Sequence, residues 1–371
     1  MKRTPLLLAL LTSLLLAACG PEANPPPAPT TDSAAPPAPA EVTLTDALGR
    51  TVQFDRLPQR IVVAGRAGTL IANAIYMFPE ASQRIVALVR SDQQQANDFL
   101  AVVDPAYDQK VLLDKEASPE QIAALKPDVV VLKSYLAGSL GAPLEQVGIP
   151  VVYVDLETSQ QYERDLLILG QLLGNETRAR TIVEFYRTRQ ARIAQAVAGM
   201  TGEQKPRALL LQYSAKGGEV AFNVPPAAWI QTGLVEQAGG NPVWKEAAEG
   251  GGWTVVNFEQ IAAWDPDLIF VVNYFSDVAQ TVESLKADPQ WQALRAVREG
   301  NLYAFPRDFY SWDQPDPRWI LGLTWLARTM HPDRLADLDP RQEMFQFFEQ
   351  MYGLSEDAIQ EYILPHMQGE P

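Results

Sequence analysis

The chain has 371 residues and a formal charge of −15, and its two histidines are His331 and His366. So acidic a surface repels nucleic acid and anionic lipid, and two histidines are too few for a three-histidine zinc or manganese site. Cys19 is the single cysteine, which excludes an intramolecular disulfide.

Residues 1–18 read as a signal peptide. Lys2 and Arg3 precede an apolar run that ends Leu16-Ala17-Ala18-Cys19. That run is shorter than the roughly 20 residues a membrane span needs, and no later stretch is long enough to cross a bilayer. Small residues before a cysteine resemble a bacterial lipobox, which implies an exported protein lipidated on Cys19. It would sit on the outer face of the cytoplasmic membrane or in the periplasm. Losing Lys2 and Arg3 takes the charge to −17. Residues 19–40 form a tether, with eight prolines between Pro21 and Pro39 and no large apolar side chain. Such a segment cannot offset its ordering entropy and prefers extended polyproline II, reaching up to about 60 Å. The folded part begins near Glu41. The roughly 330 residues beyond it exceed one comfortable core, so two lobes are expected.

Val42-Thr43-Leu44 and Val52-Gln53-Phe54 alternate around Asp46-Ala47-Leu48-Gly49-Arg50, predicting a hairpin. Continuous apolar runs then fall at 60–64, 84–88, 128–132 and 150–154, with helical segments between them. Strands apolar on both faces belong to a sheet covered on both sides, so residues 41–174 read as a mostly parallel α/β lobe. Glu176 to Met200 reads as one helix of about 36 Å with Asn175 as N-cap, placing a linking helix at 175–200. A second set of strands, 207–211, 219–222, 267–272 and 302–305, makes 201–371 a second α/β lobe with a helical tail. The fold class is α/β: two lobes, each a mostly parallel sheet flanked by helices, joined by one long rigid helix. A single helix hinges poorly, so lobe closure should be small.

One segment occurs twice. Ser118-Pro119-Glu120-Gln121-Ile122-Ala123-Ala124-Leu125-Lys126-Pro127-Asp128 matches Asn257-Phe258-Glu259-Gln260-Ile261-Ala262-Ala263-Trp264-Asp265-Pro266-Asp267. Each copy reads as a cap, a short helix opening with Glu, a Pro-Asp stop and a buried strand. With Thr45-Asp46-Ala47-Leu48-Gly49-Arg50, Pro58-Gln59-Arg60-Ile61-Val62-Val63 and Gln237-Ala238-Gly239-Gly240-Asn241, these segments resemble the substrate-binding proteins of bacterial ABC importers for iron-siderophores, cobalamin and related metal complexes. The resemblance covers nearly all of residues 41–365. It implies a monomeric receptor holding ligand between two lobes, with a permease dimer and its ATPase as partners. Glu120 and Glu259 match the family's glutamates that pair with permease arginines; as residues they also suit the helix dipole at an N-terminus.

Ligands gather beyond the carboxyl ends of strands in such sheets. Basic residues stand there: Arg66, Arg90 and Lys133 in the first lobe, Lys216 and Arg307 in the second. Tyr135, Tyr213, Trp253, Tyr274, Tyr310 and Trp312 share these loops, and Arg307, Tyr310 and Trp312 fall in one dense run. Arginine forks with aromatic walls suit a bulky anionic chelate, a ferric siderophore first among them. Cobalamin, haem and an oxyanion such as molybdate are the other ligands to consider; an exported α/β hydrolase and an adhesin are the readings of other classes. Gly65-Arg66-Ala67-Gly68-Thr69 could hold an anion at a helix start, but it lacks nucleotide fingerprints, so no cofactor is expected. Gly217-Gly218 suits a tight hairpin turn. Enzyme readings fare badly: no nucleophilic cysteine, no histidine at a strand end and no Gly-x-Ser-x-Gly occur.

Overall fold

Strands β1 (Val42–Thr45) and β2 (Thr51–Phe54) pair antiparallel around Asp46, whose carboxylate accepts the Leu48 and Arg50 amides and meets the Arg50 guanidinium at 2.7 Å. The computed structural model describes residues 41–91, 98–216, 219–248 and 250–371. Cys19, the tether, Gly217-Gly218 and the side chain of Lys216 lie outside the described residues.

The first lobe is a parallel sheet of β3 (Ile61–Val63), β4 (Ile85–Val89), β5 (Val111–Leu113), β6 (Val129–Lys133) and β7 (Val151–Val154), in the order β5-β4-β3-β6-β7. β3, β6 and β7 are buried at every position, as continuous apolar runs require in a sheet covered on both faces. Chain order reverses between β3 and β6, so the loops leaving them diverge and open a crevice at the strands' carboxyl ends. β5 is a strand the apolar-run reading passed over, because it has three residues and an exposed first position.

The second lobe contains β8 (Arg207–Lys216), β9 (Glu219–Val224), β10 (Asn241–Pro242), β11 (Thr254–Val256), β12 (Leu268–Val272) and β13 (Leu302–Ala304). Their order is β11-β9-β8-β12-β13, with β10 also beside β8. This sheet is mixed where a mostly parallel one was expected: β9 runs antiparallel to both β8 and β11. β12 pairs with β8 only along 208–212, whereas β9 pairs along 212–216, so β8 continues past the parallel core as a two-stranded ribbon.

The repeated segment closes the same structure in both lobes. Ser118 and Asn257 cap their helices by accepting the Gln121 and Gln260 amides, and Ile122 and Ile261 are fully buried. Lys126 and Asp265 then take the left-handed conformation at φ 50° and 34°. The guanidinium of Arg60 donates to the Leu125 and Lys126 carbonyls, and Arg207 does the same for Trp264 and Asp265. Asp128 and Asp267 accept the amides of Arg60 and Arg207. One arginine per lobe thus ties the strand beside the crevice to the turn that starts its neighbour.

The linking helix spans Glu176–Ala196, 21 residues or about 32 Å, with Asn175 capping it through the Arg178 amide as expected. It stops short of Met200, and Gly199 beyond it is left-handed. Arg178 donates to the Met77 carbonyl on one side and to the Gln350 and Met351 carbonyls on the other. The lobes also meet around Arg318, which has no exposed side-chain surface. It grips Asp308 at 2.6 and 2.9 Å and Asp316 at 2.9 Å, with its guanidinium 4.1 Å from the Phe99 ring of the first lobe. Asn73 donates to Asp316 at 2.5 Å, and Tyr162 and Tyr186 donate to the carbonyls of Pro315 and Pro317.

Candidate functional site

A cavity of about 630 Å³ lies where loops from both sheets converge. The first lobe contributes Ala67 and Leu70 from the turn and helix after β3, Tyr135 after β6 and Glu157 after β7; the second contributes Trp229, Ile230, Gln231, Gly251, Trp253, Tyr274, Gln314 and Pro315. Ala67 and Tyr135 flank the crevice where chain order reverses. The turn before them needs Gly65, at φ 76°: a Cβ there would stand 2.5 Å from Leu136 Cδ1. Ala67 itself is left-handed at φ 58°, a conformation that strains any residue with a side chain and that collects at functional sites. Two amides of this turn, Gly68 and Leu70, are already bonded to the Gly65 and Ala67 carbonyls, which weakens the anion-cradle expectation.

Aromatic rings make the walls. Trp229 and Trp253 stand perpendicular with centroids 5.5 Å apart, and Tyr274 lies 6.1 Å from Trp253. Tyr274 donates to Asp313 Oδ2 at 2.6 Å, and Gln231 donates to the same oxygen at 3.3 Å. Burial, reinforced by Asp313, holds the Tyr274 hydroxyl far above its ordinary range, so the phenol keeps its proton; burial likewise raises the Asp313 carboxyl. Tyr135, 59% exposed, donates to the Arg66 carbonyl at 3.1 Å, and partial desolvation followed by the Glu157 charge raises its hydroxyl too.

Ala67 and Leu70 also border a second recess of about 420 Å³, lined by Arg66, Thr69, Ser91, Lys115 and Glu116. A third of similar volume follows, with Arg90, Asp114 and Gln121 joining Ser91, Lys115, Glu116 and Ala117. The aromatic cavity therefore opens onto a mixed-charge groove along the first lobe. Arg66 is 69% exposed there, with Glu116 3.5 Å away.

The strand-end expectation divides accordingly. Trp253, Tyr274 and Tyr135 are on the cavity wall, and Arg66 and Arg90 are in the groove. Lys133 corrects the reading, because it is fully buried and donates to the Asp155 carbonyl and, at 2.6 Å, to Glu157 Oε1. It holds a cavity residue and lines nothing. Arg307 is also buried, its Nη1 donating to the Asn273 carbonyl at 2.8 Å, so it braces the loop that carries Tyr274. Burial pushes its pKa down. Trp312 has no exposed surface and donates to Asp308, and Tyr310 packs beside Arg318. Tyr213 packs edge-on against Phe222 on the sheet ribbon, away from the cavity.

Trp229 and Glu157 were missed for different reasons. Trp229 follows β9, whose antiparallel course a search of parallel strand ends leaves out. Glu157 does follow a parallel strand, but the residue types that mark candidates there are basic and aromatic, not acidic. No group of three or more potential metal-ligating His, Cys, Asp or Glu side chains occurs among the described residues.

Comparison with known proteins gives these loops their context. The family described as periplasmic binding protein matches residues 61–309, more than half of the chain. The chain belongs to this family. Its members serve ABC importers of iron-siderophores and related metal solutes as binding proteins, not enzymes. This periplasmic binding protein is 25% identical to the molybdate-binding protein MolA of Haemophilus influenzae over 334 residues, covering 85% of this chain and 92% of MolA. It is 26% identical over 254 residues to the Fe(3+) dicitrate-binding periplasmic protein FecB of Escherichia coli, covering 67% and 77%. Among solved structures, a periplasmic solute binding protein of Veillonella parvula superposes with a TM-score of 0.72 at 24% identity, covering 88% of this chain and 97% of that one. Molybdate-bound MolA gives 0.67 at 20%, covering 84% and 98%. No helix among the described residues is long and apolar enough to cross a membrane.

Proposed function

We propose that this solute-binding protein captures a bulky metal chelate, a ferric siderophore first among candidates, and delivers it to an ABC permease. The observation that carries the reading is the aromatic-walled cavity of about 630 Å³ between the lobes. That volume falls within the range of roughly 300–1,000 Å³ usual for small-molecule sites. A bare tetraoxyanion would leave most of it empty, and no arginine or lysine is among its lining residues. Anionic groups of a chelate fit better over the adjoining groove, where Arg66, Lys115 and Arg90 stand. The MolA relationship keeps molybdate in the test.

The place where the repeated helices begin supports delivery to a permease. Both Glu120 and Glu259 are exposed in the first turn of helices that start at the carboxyl-end side of their sheets, the side on which the cavity opens. We assign these two carboxylates to permease docking and Cys19 to lipid attachment. The chelate reading is tested by thermal melting against ferric siderophores, ferric citrate, haem, cobalamin and molybdate. A ferric chelate should raise Tm by several degrees at saturating concentration. A shift with molybdate alone would overturn the chelate reading.

A further inference from the structure

Beside the carboxamides of Gln231 and Gln314, the cavity wall presents two phenol oxygens that accept hydrogen bonds and have no proton left to donate. Tyr135 spends its hydroxyl proton on the Arg66 carbonyl, and Tyr274 spends its own on Asp313. Each phenol therefore offers only lone pairs to a ligand. Glu157 places a carboxyl group beside them. Lys133, buried beneath it, fixes Oε1 at 2.6 Å while 44% of the Glu157 side-chain surface stays open. Around these acceptors, Trp229, Trp253 and Tyr274 present ring planes inclined at 90° and 59° to one another. No lysine or arginine is among the lining residues.

Ring faces attract cations, and a carboxylate pairs best with a charged N–H donor. We propose that this cavity receives a cationic nitrogen head group of its ligand, an ammonium carried by the chelate, and that Glu157 is the residue that selects it. The inference rests on the chelate-receptor reading and refines it: the ligand lies with its ammonium end among the aromatic rings and its anionic portion toward the groove of Arg66. Lys133 already balances much of the Glu157 charge. The preference thus comes from the open carboxylate oxygen and the ring faces acting together, and its size is moderate.

The test compares two ferric complexes that differ in one group: ferric desferrioxamine B, which carries a terminal ammonium, and the same complex with that amine acetylated. Affinities are read from tryptophan quenching of the whole protein. The ammonium form should bind roughly tenfold more tightly. Glu157→Gln should reduce that preference to about twofold, the ammonium form losing more affinity than the acetylated form. Equal affinities, or tighter binding of the acetylated form, overturn the inference. So does failure of both complexes while ferric citrate or haem saturates the protein, an outcome that leaves the receptor reading standing. Absence of binding by any chelate removes both. The wild-type comparison needs no variant, so it decides the matter even if Glu157→Gln folds poorly.

Discussion

Arg318→Met should be among the most damaging single substitutions in the protein, although it changes no cavity residue. The guanidinium has no exposed surface and makes three close contacts, at 2.6 and 2.9 Å to Asp308 and at 2.9 Å to Asp316. Removing it leaves two buried carboxylates without their cation, and breaking a buried ion pair in this way costs about 3–5 kcal/mol. Loss of the contact with the Phe99 ring, at 4.1 Å, adds about 0.5–1 kcal/mol. For a folded region of roughly 330 residues, with an unfolding entropy near 2.1 cal/mol/K per residue, the sum corresponds to a Tm drop of about 5–9 °C. Differential scanning calorimetry of the wild type, Arg318→Met and Arg295→Met makes the comparison. Arg295 has three carboxylate partners, but on the surface, so its loss should cost about 1 kcal/mol or less. If Arg318→Met melts within 2 °C of the wild type, the buried cluster is not what joins the lobes.

Other outcomes follow from single features. Gly322→Ala would put a Cβ 2.3 Å from the Trp312 carbonyl oxygen, a backbone atom that cannot swing away, so a loss of about 1–3 kcal/mol is expected in chemical denaturation. Burial lowers the pKa of His331, so the folded protein holds fewer protons than the unfolded chain between that lowered value and about 6.5. Stability should therefore fall as pH drops from 7.5 through this window, and less steeply in His331→Gln; equal slopes would count against it. Reversing both carboxylates proposed to dock the permease, Glu120→Lys with Glu259→Lys, should abolish uptake in cells while solution affinity for the solute stays unchanged. Normal uptake would leave those residues only their place at a helix N-terminus.

Apolar runs made both sheets legible because buried strands such as Val129–Lys133, apolar through Leu132, and Leu268–Val272 have almost no polar position to blur them. Short or edge strands such as Val111–Leu113 and Thr254–Val256 lack that signal and emerged only from pairing. The repeated Glu-Gln-Ile segment revealed the kinship of the lobes, but not the arginine clamp of Arg60 and Arg207, which depends on contacts 57 to 66 residues apart. The cavity was half legible. Position after a strand located Tyr135 and Tyr274, whereas Trp253 stands just before β11; position could not distinguish a side chain facing the cleft from one folded beneath it. Lys133, Arg307 and Trp312 each found a partner in the interior, and residue type gave no warning of that.

The central claim is that a solute binds among the aromatic rings between the lobes. Its most direct measurement is a fluorescence titration of the wild type and Trp253→Ala with the ferric chelate that gives the largest thermal shift. The account predicts saturable quenching at one chelate per protein, weakened about thirtyfold in the variant, since losing a buried aromatic anchor costs about 2 kcal/mol. Equal dissociation constants for the two proteins would contradict it and move the binding site away from this cavity.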